Sequence, residues 1–145
     1  MHLEKFRTYH STLIEHYQFI EAHLEGIYAA LSEKSLIEGL QEVEKDSLHR
    51  IVKEIKIIEC ERNITVFTDG EYERMEKIFQ RRNFWCHNCY YDMTFDRKTG
   101  GPKNTDDIKA MLSDLSEAEE LRRELFARKQ ELFENNRRTL LSPFC

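Results

Sequence analysis

The sequence predicts an all-α protein: an up-and-down bundle of four to five helices with a long first and a long last helix. Three observations predict this fold. The 145 residues include only five glycines and two prolines, so few positions interrupt a helix. Charged residues make up 34% of the chain, and apolar residues recur every three or four positions in its long segments. The length suits one domain with its own core, and residues 1–145 contain no repeat or linker that predicts a second.

The first helix is predicted to run from about Leu3 to Leu31. Its apolar positions alternate steps of three and four, as in the seam of a helical bundle. These positions are Leu3, Phe6, His10, Leu13, Tyr17, Ile20, Leu24, Ile27 and Leu31. His10 lies in the seam, with His16 and His23 beside it, and we interpret all three as packing or surface residues.

Two capping patterns predict where later helices begin. Ser35-Leu-Ile-Glu38 has the spacing of a capping box. A later helix is capped either by Thr68 with Glu71, which have the same spacing, or by Asp69 alone. After the first pattern the apolar spacing continues, and the sequence leaves open whether one helix or two follow. Residues 61–70 are predicted to be a loop, because the short stretch Ile64–Phe67 has no second strand to pair with.

The helix after the second pattern is predicted to run from about Glu71 to Tyr91. Residues 94–104 should form a surface loop around Gly100-Gly101-Pro102. Thr105 is predicted to cap a long last helix, which Pro143 closes. The apolar line of this last helix consists of Ile108, Leu112, Leu115, Ala118, Leu121, Leu125 and Leu132.

Arg82 is an anomaly in the helix predicted after Thr68. At about 100° per residue it falls near the middle of an apolar stripe. The stripe consists of Met75, Ile78, Phe79, Trp85, Cys86, Cys89 and Met93. Because an unpaired buried guanidinium is costly, Arg82 needs a negative partner. Either Glu15, Glu21 or Glu54 supplies it, with His87 a helix-end residue, or Arg82 lines a wet groove where a bound phosphate supplies it.

Polar and aromatic residues follow Arg82 on the same helix. Asn83 and His87 are four residues apart and share a face beside Phe84 and Tyr91. A guanidinium can bind two phosphate oxygens, and an imidazole can accept or donate a proton near neutral pH. These groups suit RNA cleavage, because RNA supplies its own 2′-hydroxyl nucleophile. Arg81 could add local positive charge despite the net charge of −5, and the aromatic rings could stack on bases.

The six residues from Arg82 to His87, Arg-Asn-Phe-Trp-Cys-His, resemble the signature of the HEPN superfamily: an arginine, often a following polar residue, and a histidine after a short spacer. The helical layout and the late position of the motif are also similar. The resemblance implies a metal-independent endoribonuclease, commonly a toxin of a toxin–antitoxin or phage-defence system. It further implies a homodimer with two motifs facing one cleft, in which Arg82 and His87 are catalytic and Asn83 supports them.

One position departs from a branch of this family. In that branch a nucleotidyltransferase partner adenylylates a tyrosine two positions after the histidine and so silences the toxin. Cys89 holds that position here, and Tyr90 follows it. An antitoxin protein is still an expected partner, but this route of silencing is not implied.

Metal, redox and membrane functions are not expected. Cys86 and Cys89 have Cys-x-x-Cys spacing, but no second close pair completes a zinc site and no βαβ context supports redox use. We interpret both thiols as small apolar residues facing the core, and we expect no cofactor. No apolar run approaches the roughly 18 residues of a membrane span, so we expect a cytoplasmic protein without a membrane partner.

A non-catalytic function is the alternative that the sequence leaves open. A helical interaction or nucleotide-binding module could share the same fold. Its support is the acidic net charge of −5 and the lack of a long basic stripe.

Overall fold

A computed structural model describes residues 3–87, 89–90, 98 and 108–141, with the side chains of 3, 108 and 137–141 left aside. Within these residues five helices have defined bounds, and Cys89 and Tyr90 are also helical. The five helices are α1 (Leu3–Leu31), α2 (Leu36–Val43), α3 (Leu48–Arg62), α4 (Asp69–Cys86) and α5 (Ile108–Leu141). The described ranges contain no strand. The predicted all-helical bundle with a long first and a long last helix is therefore confirmed.

α1 is the central element of the bundle. It packs along α5 in the most extensive helix–helix contact, and it also contacts α2, α3 and α4. The predicted seam supplies these contacts: all of its described members are buried except His10, which is half-buried. The step of three and four residues thus predicted the buried face of α1 correctly.

Side-chain caps set the helix starts. Ser35 accepts a hydrogen bond from a backbone N–H at the start of α2, and Ser47 does the same for α3. Thr68 and Glu71 form a complete capping box at α4, as the sequence predicted. At the other end of α3, Asn63 adopts the left-handed conformation with φ 53°, which ends the helix. The stretch after Ser35 is therefore two helices, and Ser47 marks the break between them.

The segment between α3 and α4 is a loop, as predicted, and two of its residues enter the core. Val66 and Phe67 are both buried in the common core. The Val66 backbone is held from two sides, because its N–H donates to Glu59 at 3.1 Å and its carbonyl accepts from Arg128 of α5. These contacts satisfy the backbone polar groups of Val66.

Two details of the predicted helices are wrong. α4 ends at Cys86, not near Tyr91, because His87 adopts an extended conformation with φ −124° and ψ 130°. In α5, Leu112 is 40% exposed, and the buried residue at this level is Met111. Met111 precedes the buried Ala118 by seven residues, which is nearly two full helical turns, whereas a spacing of six places Leu112 on another face.

Several predictions concern residues outside the described ranges. They are Met93 in the apolar stripe, Tyr91 as an RNA contact, the cap at Thr105, the stop at Pro143 and, apart from Lys98, the loop at 94–104. Of the helices that the structure describes, none is long and apolar enough to span a membrane.

Candidate functional site

The C-terminal half of α4 is fixed to α5 through one carboxylate. Trp85 is buried, and its indole N–H donates to Oδ2 of Asp114 at 2.6 Å. Arg81 donates to the same oxygen through Nε at 2.7 Å. The side chain of Asp114 is only 12% exposed, so these two hydrogen bonds are needed to offset the cost of burying its carboxylate. Asp114 was not among the residues predicted from the sequence, although its place four residues before the buried Ala118 marks it as an acid on a buried face.

The charge of Asp114 also affects the pKa of Tyr17 on α1. Tyr17 is buried in the core. Burial, and secondly the negative charge of Asp114, raise the pKa of Tyr17 far above its usual range. Tyr17 is therefore a neutral core residue and not an acid–base group at physiological pH.

The two RNA-contact candidates next to Asp114 make contacts within the chain. The Arg81 guanidinium lies over the ring of Phe84, with 4.8 Å between its Cζ and the ring centroid. Phe84 in turn packs edge-on against Trp85 with ring centroids 4.8 Å apart. Phe84 is half-buried, and the Arg81 side chain keeps 41% exposure. Both residues thus stabilise this end of α4 while part of each remains open to solvent.

Arg82 has an acid partner in its own chain. Its Nη2 lies 3.7 Å from Oε2 of Glu21 on α1, one of the three carboxylates proposed from the sequence. Glu15 instead lies 3.6 Å from Arg122. Of the two alternatives predicted for Arg82, the structure therefore shows the first, a carboxylate partner within the chain, and that partner is Glu21.

The contact between Arg82 and Glu21 is loose. At 3.7 Å it exceeds hydrogen-bond distance, and the two side chains are 33% and 30% exposed. A guanidinium has five N–H donors, so a single long contact of this kind does not use them all. Arg82 thus has an acidic partner, but this long contact does not fix the guanidinium in place.

Glu21 belongs to an acidic group. Burial, followed by the charges of Glu21 and Glu44, raises the pKa of Glu25. A ligand phosphate near Arg82 would therefore meet negative charge from α1 as well as the positive charge of the arginine. This electrostatic setting weakens anion binding by a single copy of the chain.

Asn83 and His87 lie close together at the end of α4, and both side chains are exposed. The His87 N–H donates to the carbonyl of Asn83 at 3.2 Å and to that of Phe84 at 3.4 Å. His87 follows Arg82 by five positions, which is about 7.5 Å along a helix axis at 1.5 Å per residue. The structure therefore brings Arg82, Asn83 and His87 to one end of one helix, where each can be reached from solvent.

The thiols near the motif differ from the prediction. Cys89 is buried, as expected, but Cys86 is exposed, so the expectation that both face the core is wrong for Cys86. Within the described ranges no group of three or more His, Cys, Asp or Glu side chains is arranged to hold a metal ion.

His10 connects α1 to the end of α4. Its Nε2 lies 2.8 Å from the carbonyl oxygen of Trp85, and its Nδ1 lies 3.2 Å from the hydroxyl of Tyr90. His10 was interpreted from the sequence as a packing or surface residue, and this role was not predicted. The available signal was its position as a polar residue within an otherwise apolar seam.

Comparisons of the chain with protein-family models, curated proteins and solved structures find no match. The resemblance to the HEPN superfamily therefore rests on residues 82–87 and on the helical layout.

Proposed function

We propose that the chain is a metal-independent endoribonuclease of the HEPN type that acts as a homodimer. The composite site would contain Arg82, Asn83 and His87 from each copy. The observation that carries the proposal is that Arg82, Asn83 and His87 all lie in the last turns of α4 and its C-cap, with Asn83 and His87 exposed and Arg82 partly exposed. Following the resemblance, the biological role would be that of a cytoplasmic toxin or phage-defence effector controlled by an antitoxin protein.

The proposed reaction is a transesterification within RNA. The 2′-oxygen bonds to the adjacent phosphorus as the bond from phosphorus to the 5′-oxygen breaks. One His87 accepts the proton of the 2′-hydroxyl, and the His87 of the second copy donates a proton to the leaving 5′-oxygen. Arg82 binds non-bridging phosphate oxygens and stabilises the negative charge of the transition state. The products are a 2′,3′-cyclic phosphate and a 5′-hydroxyl.

The loose ion pair of Arg82 is compatible with this role. An ion pair between partly exposed side chains contributes only about 0–1 kcal/mol, so a phosphate can displace Glu21 at little cost. The acidic group around Glu21 opposes anion binding by one copy, whereas a dimer would present two guanidinium groups to the same phosphodiester. Pairing of two chains therefore supplies both the second proton-transfer group and the missing positive charge.

The test is RNA cleavage by the full chain in EDTA. We expect cleavage with cyclic-phosphate ends, and a loss of at least about 100-fold in Arg82→Ala and in His87→Ala with folding intact. Arg62→Ala is a matched control, because Arg62 forms a similarly long pair, 3.8 Å from Glu33, far from the motif. Its activity should stay within about twofold of the wild type, as expected for an exposed pair.

Several results would contradict the mechanism. Cleavage that EDTA abolishes would require a metal, and full activity in His87→Ala would remove the proposed acid–base group. Glu21→Gln adds a sharper test, because removing the competing charge should lower the KM for RNA without lowering kcat. A higher KM in that variant would show that Glu21 supports the substrate-binding form of Arg82.

The Arg82–Glu21 pair also favours a second candidate function, a non-catalytic helical interaction or nucleotide-binding module. In that case Arg82 holds α4 against α1, and His87 is an exposed cap. Expression in cells separates the two candidates. A ribonuclease toxin should slow growth and His87→Ala should relieve the effect, whereas harmless wild-type expression without RNA cleavage would favour the module.

A further inference from the structure

The end of α4 is closed by a side chain from another helix. The last carbonyls of an α-helix lack intrahelical donors and must find others. The backbone N–H of His87 donates hydrogen bonds to the carbonyls of Asn83 and Phe84. The carbonyl oxygen of Trp85 instead accepts hydrogen bonds from Nε2 of His10 at 2.8 Å and from the Cys89 thiol at 3.1 Å. A residue 75 positions earlier in the chain thus completes the helix that carries the motif.

The contacts of His10 define which ring nitrogen carries the hydrogen. A carbonyl oxygen can only accept, so Nε2 must be the donor to Trp85. Nδ1 is then the acceptor for the Tyr90 hydroxyl at 3.2 Å. The ring also stacks on Phe6, with centroids 5.9 Å apart and planes within 9°. Hydrogen bonds at both nitrogens and stacking on one face leave the imidazole a single orientation.

We propose that His10 is a positioning residue for His87. The Trp85 carbonyl that it binds lies at the last turn of α4, two residues before His87 leaves the helix in an extended conformation. Holding this carbonyl fixes the direction in which the chain departs, and therefore where the His87 imidazole points. The catalytic consequence rests on the ribonuclease function proposed above, but the structural consequence does not.

Two variants separate the hydrogen bond of His10 from its packing. His10→Phe keeps the ring against Phe6 and Tyr90 but removes the donor to Trp85. His10→Gln restores an N–H at a similar reach. His49→Phe is the matched control, because His49 also packs on α4, with its ring 5.5 Å from Phe79, but away from the motif.

Hydrogen exchange and histidine NMR test the structural part. In His10→Phe we expect the His87 amide to exchange about tenfold faster, since it belongs to the loosened turn. The imidazole resonances of His87 should shift as well. His10→Gln should restore both measurements, and His49→Phe should change neither. Equal acceleration of all core amides, or unchanged His87 signals, would overturn the proposal.

RNA cleavage tests the catalytic part. A misplaced acid–base group should lower kcat by about tenfold or more while KM stays within about twofold. An unchanged kcat in His10→Phe alongside altered His87 signals would overturn the catalytic consequence.

If the wild type does not cleave RNA, the ribonuclease proposal fails, and the exchange and NMR measurements still decide whether His10 positions His87. If His10→Phe does not fold, His10→Gln and the shorter His10→Asn form the comparison, and equal His87 exchange in these two would overturn the proposal.

Discussion

Replacing Asp114 by alanine should destabilise the fold, mainly because the buried indole N–H of Trp85 would lose its hydrogen-bond acceptor. Oδ2 of Asp114 accepts hydrogen bonds from the Trp85 indole at 2.6 Å and from Arg81 at 2.7 Å. Trp85 is 1% exposed, so its N–H would remain buried without an acceptor in the variant. The Arg81 side chain is 41% exposed and would recover hydrogen bonds to water.

These two losses differ in size. Leaving a buried donor unsatisfied costs about 1–3 kcal/mol. Losing a half-exposed ion pair costs only about 0.2–1 kcal/mol, and alanine recovers up to about 0.7 kcal/mol through its higher helix propensity. We therefore expect Asp114→Ala to lower the free energy of unfolding by about 2 kcal/mol, mostly through Trp85.

Urea denaturation measures this change with a built-in reporter. Trp85 is the one tryptophan of the chain, so its fluorescence reports on the affected site. Arg81→Ala should lower the free energy of unfolding by less than about 1 kcal/mol, and Asp114→Asn, which keeps an acceptor oxygen, should lie between the two. An Asp114→Ala effect below about 0.5 kcal/mol, or one no larger than that of Arg81→Ala, would refute the reasoning.

Two further predictions concern close packing and pH. Gly39→Ala should destabilise by about 1–3 kcal/mol in urea denaturation, because its Cβ would lie 2.9 Å from the backbone Cα of Ala29. Gly26→Ala is the control and should stay within about 0.5 kcal/mol, because the added Cβ meets the flexible stem of Lys129. Burial and the charge of Lys129 lower the pKa of His23 from 6.5 to about 4, so the unfolded chain binds the extra proton between these values. The free energy of unfolding should then fall on acidification from pH 6.5 to 4, by up to about 1.4 kcal/mol per pH unit, and the fall should be smaller in His23→Phe.

The sequence was sufficient for the features that depend on local periodicity and local hydrogen bonds. The seam of α1 follows from the helical repeat, and the start of α4 at Thr68 and Glu71 follows from a capping box formed by neighbours in the chain. Such signals need no knowledge of what packs on the helix. These signals are less reliable where two apolar residues are adjacent, as at Met111 and Leu112. Choosing the buried residue of this pair required knowing that the helix continues without interruption to Ala118.

The end of α4 could not be predicted in this way because distant residues set it. In the sequence the apolar stripe continues past Cys86 to Met93, yet α4 stops at Cys86, and the Trp85 carbonyl accepts hydrogen bonds from His10 and Cys89. A helical projection likewise identified Arg82 as an anomaly but could not choose among three acids. Glu21 became distinguishable only once the packing of α1 against α4 was known.

Three polar residues that interrupt apolar faces have a common location. His10, Arg82 and Asp114 each lie on a predominantly buried face, and each makes its contact between residues 81 and 85 of α4 and another helix. Apolar packing rewards burial without specifying direction, whereas hydrogen bonds constrain both distance and angle. α4 makes polar contacts along its length, including an ion pair between Arg74 and Glu124 of α5, and in its last turns such contacts come from both α1 and α5. Placing such contacts around the six-residue motif, where each polar group adds a desolvation cost, is what a site requiring a defined geometry would need.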